Sequence, residues 1–457
     1  MTNPRQIAVA LLTLDVFATA AVFGLISHLR GVGTGDSALA IPTALLIFAI
    51  YLVQGYKSQT DVLSVDYASQ HSIAILSAML GTMLLTYAVV PAGYEFLVPQ
   101  SSRFVVGLSY VVLIPLTISY RRLIYLRVIA SRGERSIIFV GDRASCLQFR
   151  DECSKMGTRQ PVVFTSPTGE STPPFALEDD LRRGEFESAL AEIEQGRLAV
   201  EAIVLRESAR ELPSAVSRRL VQLYFTGVPT YTLELFHQVY WQKIPVYRIN
   251  QTWLFQEGFE IAREPVFQRL KRVADIGLAS IGLLLAAPLI LAGALAIWLE
   301  DRGPAFFAQT RVGRNSKPFR LLKLRTMRVA QASDDLYTRP GDTRITKVGG
   351  FLRTSRLDEL PQLWNVLRGD MSLIGPRAEW DRLVANYERE IPCYHFRHLV
   401  KPGITGWAQV NYPYGANLED TVRKLEYDLY YIRHFSFLLD ATIVLKTIHI
   451  MLFGKGR

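Results

Sequence analysis

The residues of this 457-residue chain best suited to chemistry are two adjacent carboxylates, Asp358 and Glu359. They lie inside the run Arg353-Thr354-Ser355-Arg356-Leu357-Asp358-Glu359-Leu360-Pro361-Gln362-Leu363-Trp364-Asn365-Val366-Leu367. Leu360, Leu363, Trp364 and Leu367 follow helical spacing and predict a buried stripe. Proline is tolerated in the first turn of a helix, so Pro361 sets the predicted start near Asp358–Glu359. Carboxylates there would sit beside unpaired N–H groups able to hold phosphate oxygens. Acidic residues are also ordinary helix starters, so the pair alone specifies no reaction. Two flanking stretches sharpen it. Gly341-Asp342-Thr343-Arg344-Ile345-Thr346 lies upstream, and Gly369-Asp370-Met371-Ser372-Leu373-Ile374-Gly375-Pro376-Arg377 is a turn-rich loop that would bring Arg377 back toward the carboxylates.

Cations gather just before this run. Gln309-Thr310-Arg311-Val312-Gly313-Arg314 and Phe319-Arg320-Leu321-Leu322-Lys323-Leu324-Arg325-Thr326-Met327 present guanidinium and ammonium groups at close intervals. Two adjacent phosphates held away from water need such donors. A solvated basic surface facing a membrane accounts for some of them equally well. Metal chemistry at sulfur or imidazole is not indicated. Cys146, Cys153 and Cys393 lack ligand spacing, and His395 and His398 are too close for a helical i, i+4 pair. All five read as packing residues.

The elements that must position these groups begin in a membrane. Apolar residues make up 49% of the chain, but they concentrate before Tyr120 and again between Ile276 and Leu299. Four apolar stretches, Ile7–Ile26, Ala38–Val53, Ser72–Val90 and Phe104–Tyr120, approach the ~20 residues needed to cross a bilayer. The first has no convincing cleavage site and three more spans follow, so it is not expected to be a removed signal peptide. Arg5, Lys57, Arg121, Arg122, Arg127 and Arg132 fall on one side of these spans, Arg30 and Arg103 on the other. The positive-inside rule then puts the N-terminus and everything after Tyr120 in the cytoplasm. Asp15, inside the first span, reads as half of a helix-to-helix hydrogen bond.

From Arg135 the texture changes. Short β-rich runs at Ser136–Val140, Val162–Thr165, Ala202–Leu205 and Thr230–Leu233 alternate with helical stretches, which argues for a small parallel α/β unit. Gly141 stands where a dinucleotide-binding turn would begin, but the full G-x-G-x-x-G fingerprint is absent, and a structural or regulatory unit is the better reading. Ser166–Pro174 reads as a surface loop. Ile276–Leu299 is long enough to span, yet Pro288 sits at its middle, where it should kink or break a helix. The expectation is a helix–break–helix hairpin that re-enters the cytoplasm, with a kinked fifth span as the alternative. In Lys401-Pro402-Gly403-Ile404-Thr405-Gly406-Trp407-Ala408-Gln409-Val410, the tryptophan suits a membrane interface or a nucleotide-facing wall. Phe437–Phe453, interrupted by Asp440, Lys446 and His449, reads as an interfacial helix.

From about Arg263 onward the chain resembles the bacterial sugar transferase family, the large monotopic polyprenyl-phosphate glycosyl-1-phosphate transferases. The resemblance rests on the stretches around Gln309–Gly313, Lys323–Met327, Asp342–Thr346, Leu357–Asn365, Gly369–Arg377 and Lys401–Val410, in one order. It implies a three-part architecture: a transmembrane four-helix bundle over 1–132, a Rossmann-like α/β domain over 133–250, a linker over 251–262, and a mostly α catalytic module over 263–457 with its re-entrant membrane helix at 270–300. It implies that Asp358 attacks the β-phosphorus of a UDP-sugar, and that undecaprenyl phosphate then takes the phosphosugar. Mg²⁺ would be held at Asp358 and Glu359, while Lys323, Arg325 and Arg377 would contact phosphate. Arg353 is a weaker candidate, since capping a neighbouring element would explain it. The implied setting is the cytoplasmic face of a bacterial inner membrane, at the first membrane step of exopolysaccharide or O-antigen assembly. Ala378 replaces the proline usual after Gly-Pro-Arg, a change expected to loosen the loop holding Arg377.

The formal charge of +9 and a pI near 9.4 agree with membrane lipids and nucleotide phosphates as partners. No RNA- or DNA-reading motif is visible, so nucleic acid is not expected. A homodimer is compatible with the architecture. A non-enzymatic scaffold would have lost Asp358, Glu359 or Arg377, and a lipid-phosphate kinase would need a Gly-rich triphosphate loop.

Overall fold

The computed structural model describes residues 4–31, 39–53, 55–56, 62–86, 103–131, 135–158, 160–166, 183–206, 212–248, 265–328, 344–412 and 417–453. The expected linker at 251–262, most of the expected loop at 166–174, the end of the third apolar stretch and the start of the 341–346 stretch lie outside them. The chain is mostly helical and forms two compact units, Met1–Phe236 and His237–Arg457.

In the first unit each N-terminal apolar stretch is a helix: α1 (Pro4–Leu29), α2 (Ala40–Leu52), α3 (Val65–Leu84) and α4 (Arg103–Ser131). Of these, α1 and α4 are long and apolar enough to cross a membrane, and α2 is a shorter apolar helix. Phe23, Leu46, Ile50, Ile75, Val105 and Leu113 meet in the bundle core, while Phe17, Phe48, Leu80 and Leu116 face outward. An apolar exterior around an apolar core is what a bilayer selects. Asp15 is fully buried, and its bond is stronger than expected. Its carboxylate takes Arg121 Nη1 and Nη2 at 2.7 and 2.6 Å and the Tyr56 hydroxyl at 2.6 Å, with Tyr120 as a further donor. Each buried charge is thus paired, the condition for tolerating it among lipid chains.

The unit continues as β1 (Ser136–Val140), α5 (Arg143–Lys155), β2 (Val162–Ser166), β3 (Arg183–Glu185), α6 (Phe186–Glu194), β4 (Val200–Leu205), α7 (Ser214–Phe225), β5 (Thr230–Thr232) and α8 (Leu233–Tyr240). All neighbouring strands are parallel, in the order β3-β2-β1-β4-β5. The four expected strands are present within two residues of their expected bounds. The edge strand β3 went unseen because Arg-Gly-Glu carries no apolar pattern. At the end of β1, Asp142 caps α5 by accepting from Ser145 N (3.1 Å) and pairs with Arg206.

In the second unit α9 (Pro265–Asp301) is the third helix long and apolar enough to cross a membrane. It runs as one helix across Pro288, so the expected break in helical structure is not present. A proline forfeits one helical hydrogen bond. Packing on both sides offsets that here: Ala279 joins a core with Val366 and Met371, while Ala286, Ile290 and Ile297 join one with Leu324 and Leu352. A Cβ at Gly293 would come within 2.9 Å of Leu324, which shows how closely α9 lies against the next elements.

Those elements are an antiparallel hairpin, β6 (Phe306–Val312) and β7 (Pro318–Leu324), then α10 (Lys347–Thr354) and a 3-10 turn, Leu357–Glu359. There follow α11 (Gln362–Arg368), β8 (Ser372–Ile374), α12 (Asp381–Glu390) and a 3-10 turn, Tyr394–Leu399. The chain ends with β9 (Gly403–Thr405) parallel to β8, α13 (Trp407–Asn411), α14 (Leu418–Arg433) and α15 (Phe437–Phe453). Trp407 is neither at an interface nor a nucleotide wall. It is 2% exposed, donates to the Gln242 carbonyl at 2.9 Å and lies under Lys446.

Candidate active site

The site grows from the short segment between α10 and α11. Arg356 takes left-handed backbone angles (φ 59°), a conformation that costs a side-chain-bearing residue about 1–2 kcal/mol. That reversal ends α10 and starts the 3-10 turn. Pro361 has no N–H to give to Leu357, whose carbonyl instead takes Leu360 N three residues on, at 3.3 Å. The α-helix therefore starts at Gln362, later than expected, and the two carboxylates stand on the turn before it. The expected buried stripe holds in part: Leu360, Leu363 and Leu367 pack half-buried against the cores that include α9, and Trp364 departs from it. Gln362, Asn365 and Val366 are the buried residues of α11, and Trp364 is 49% exposed. The polar face turns inward because Asn365 bonds the β7 backbone, donating to Arg320 O (2.8 Å) and accepting from Leu322 N (3.0 Å).

Asp358 and Glu359 are adjacent and both buried, yet their surroundings differ. Glu359 Oε1 meets Arg377 Nη2 at 3.1 Å, Lys323 Nζ at 3.4 Å and Arg356 Nη1 at 3.8 Å. Burial pushes the Glu359 carboxyl up, but Arg377, Lys323 and Arg356 together outweigh it and hold the group at about 2. Asp358, among the described residues, accepts no hydrogen bond and lies in no ion pair. Burial therefore prevails, and with the Glu359 charge it raises the Asp358 carboxyl against the pull of Lys323, Arg353 and Arg356. Burial, aided by Arg377, lowers Lys323 to about 8 despite its carboxylate neighbours. One carboxylate is clamped and the other is left unencumbered.

Beside the pair is a pocket lined by Arg311, Leu321, Lys323, Gln362, Met371, Arg377, Ala378 and Gly403. Three cations on one small concavity suit a diphosphate. Of the residues singled out from sequence, the fold gathers Asp358, Glu359, Lys323 and Arg377. Arg325 is engaged elsewhere: Nη1 pairs with Asp301 (2.7 Å) and Nε donates to the Pro304 carbonyl (2.6 Å). Arg353 donates to Thr326 Oγ1 (2.8 Å) and acts on Asp358 through its charge. Arg311 and Gln362 were missed as individual site residues. Arg311 lay in a noted basic stretch, but only the pairing of β6 with β7 selects it.

The loop bearing Arg377 is fixed on both flanks despite Ala378. Gly375 N donates to Thr405 O and Gly403 N to Pro376 O, both at 2.9 Å, and Val312 N donates to Glu379 O at 3.1 Å. Among the described residues no group of three or more His, Cys, Asp or Glu gathers to hold a metal. Mg²⁺ usually binds through one or two carboxylates plus substrate phosphates. The oxygens of Asp358 and Glu359 fit that requirement.

A family profile described as bacterial sugar transferase matches residues 266–454. A UDP-N-acetylgalactosamine-undecaprenyl-phosphate N-acetylgalactosaminephosphotransferase of Aeromonas hydrophila is 39% identical over 262 residues, 57% of this chain and 61% of that protein. A UDP-glucose:undecaprenyl-phosphate glucose-1-phosphate transferase of Escherichia coli is 46% identical over 183 residues, 39% of each chain. An exopolysaccharide production protein of Rhizobium leguminosarum is 40% identical over 186 residues, 39% of this chain but 93% of that protein. The matched part thus spans less than two thirds of the first two relatives and nearly all of the third. With the carboxylate pair, its cations and the long α9 all inside the matched region, the chain belongs to the bacterial sugar transferase family.

Proposed function

We propose that this protein transfers a sugar-1-phosphate from a UDP-sugar to undecaprenyl phosphate, at the first membrane step of exopolysaccharide or O-antigen assembly. The observation that carries this reading is the unequal pair: Glu359 held by three cations, Asp358 buried beside it with no partner. A nucleophile must keep its lone pairs available, and burial strips it of the water that would otherwise blunt attack. An Asp358 oxygen attacks the β-phosphorus, and the bond to the bridging oxygen breaks with its electron pair leaving on UMP. A phosphate oxygen of the polyprenyl phosphate next attacks the same phosphorus. The bond to Asp358 then breaks, freeing the carboxylate and leaving the sugar on a lipid diphosphate. Lys323, Arg377 and Arg311 offset the charge of the two phosphates. Mg²⁺, held by Asp358 and Glu359, would neutralise charge on the transferring phosphoryl group.

We infer the membrane arrangement from the anchors of α9. Near its start Arg272 donates to the Val366 and Leu367 carbonyls, and Asp275 accepts from Ser372 Oγ and from Leu373 N. At its end Glu300 accepts from Lys347 N, and Asp301 pairs with Arg325. Those anchors are 29 residues apart, ~44 Å along a straight helix, more than the roughly 30 Å of a bilayer core. A straight crossing would drag the charged site into the bilayer. Re-entry, with both ends of α9 on the cytoplasmic face, keeps the site in water, and the exposed Leu284, Leu285, Leu291 and Leu295 then meet lipid. We read the α/β unit as Rossmann-like but not dinucleotide-binding, since Asp142 already occupies the start of α5.

The test omits the acceptor. Wild-type enzyme given a panel of UDP-sugars alone should release about one UMP per active site, and mass spectrometry should find the phosphosugar on the peptide holding Asp358. Asp358→Asn should release none and lose a factor on the order of 10⁴ in turnover, unrecovered by added Mg²⁺. Normal lipid product from Asp358→Asn would sink the covalent route.

A further inference from the structure

Arg397 takes no part in the steps above, yet it is 5% exposed and makes three polar contacts. From the turn Tyr394–Leu399, Nη1 donates to the Tyr394 hydroxyl at 2.5 Å. Nη2 lies 2.9 Å from Asp428 Oδ2 and donates to the backbone carbonyl of Arg377 at 3.0 Å. Asp428, on α14, and Tyr394 are each 1% exposed. A buried ion pair is an expensive way to hold a core together, and apolar side chains of similar volume often do as well. What it offers is direction, because a guanidinium is a rigid planar fork. One edge of this fork is spent on Asp428 and Tyr394. What remains points at the carbonyl of the residue whose side chain meets Glu359 at 3.1 Å. The next carbonyl, of Ala378, takes Arg311 Nη1 at 3.2 Å, so two arginines hold consecutive peptide groups.

We propose that Arg397, locked by Asp428 and Tyr394, is a positioning residue that fixes the Arg377 backbone so that the Arg377 guanidinium reaches Glu359. This rests on reading Asp358 and Glu359 as the reactive pair. Misplacement of a contact group by 1 Å can cost about 100-fold in rate even when the change lies far from the chemistry. Arg397→Lys keeps the charge and loses the fork. Tyr394→Phe removes one hydrogen bond and keeps the ion pair, which guards against loss of folding.

The full chain in detergent is assayed with UDP-glucose and UDP-N-acetylgalactosamine, undecaprenyl phosphate as acceptor, in the parent and in Arg377→Met. In the parent, kcat/KM should fall about tenfold for Tyr394→Phe and about 100-fold for Arg397→Lys. In Arg377→Met neither should cost more than about twofold, since the group they position is gone. A second readout needs no turnover: the Tm at pH 7, to which the Glu359–Arg377 pair contributes. Tyr394→Phe should lower it by more in the parent than in Arg377→Met, the difference being the coupling between the two residues. Equal losses in both backgrounds, or none in the parent, would overturn the positioning role. Full activity of Arg377→Met would instead overturn the reading of the site, and the positioning role with it.

Discussion

Neutralising the two carboxylates one at a time should move stability in opposite directions. Glu359 is held at about 2 by Arg377, Lys323 and Arg356, although burial opposes them. Against its ordinary 4.5, at 1.36 kcal/mol per pH unit, that is at most about 3 kcal/mol of stability. A depressed pKa gives stability that is present above the unfolded value and lost as pH falls through the folded one. The contribution is therefore complete at neutral pH and disappears between about 4.5 and about 2. Glu359→Gln removes it and leaves three cations facing one another. At about 2–4 °C per kcal/mol for a unit of this size, its Tm should fall by several degrees at pH 7. Asp358 is the reverse case, because burial without a partner raises its pKa. Its ionised form is a net cost above the unfolded value, so Asp358→Asn should raise Tm at pH 7 while abolishing transfer. Thermal unfolding by intrinsic fluorescence in one detergent, from pH 7 downward, measures both. The wild type and Glu359→Gln should converge as pH approaches 2. A less stable Asp358→Asn, or a Glu359→Gln as stable as wild type at pH 7, would refute the division of roles.

Three further outcomes are expected. Cysteines placed at Ser280 and Gly303 should both be shielded from a membrane-impermeant thiol reagent added outside intact cells; outside labelling beyond Glu300 would refute the re-entry of α9. A chain from Glu264 to Arg457 should keep transfer activity in detergent, because every site group follows Arg263; a folded but inactive truncation would mean that residues before Glu264 supply catalytic groups. Lys323 sits at about 8, so its ammonium charge fades as pH rises through that value, and kcat/KM should fall on the alkaline side near pH 8. Lys323→Arg should move that limb upward, and an unmoved limb would assign it to another group.

Much of this protein was legible in the sequence. Apolar runs of about 20 residues need no partner to be recognised, because the bilayer sets their length. The strands read at Ser136–Val140 and Ala202–Leu205 announced themselves through β-branched and aromatic runs. The carboxylate pair and its cations stood out because several motifs follow in one order. The sequence could not divide labour among those groups. Lys323 and Arg325 are two residues apart and the same sign, but Arg325 is tied to Asp301 and the Pro304 carbonyl at the end of α9, while Lys323 turns to Glu359. Trp364 and Trp407 look alike as tryptophans, and packing exposes the first and buries the second. The same holds for Asp358 and Glu359, adjacent in the chain and chemically near-identical. Which one is clamped depends on where Arg377 arrives from 18 residues downstream and Lys323 from 36 upstream. Local spacing fixes which groups a segment carries, whereas charge pairing and burial act through space, and only the tertiary fold brings the distant partners within about 3 Å.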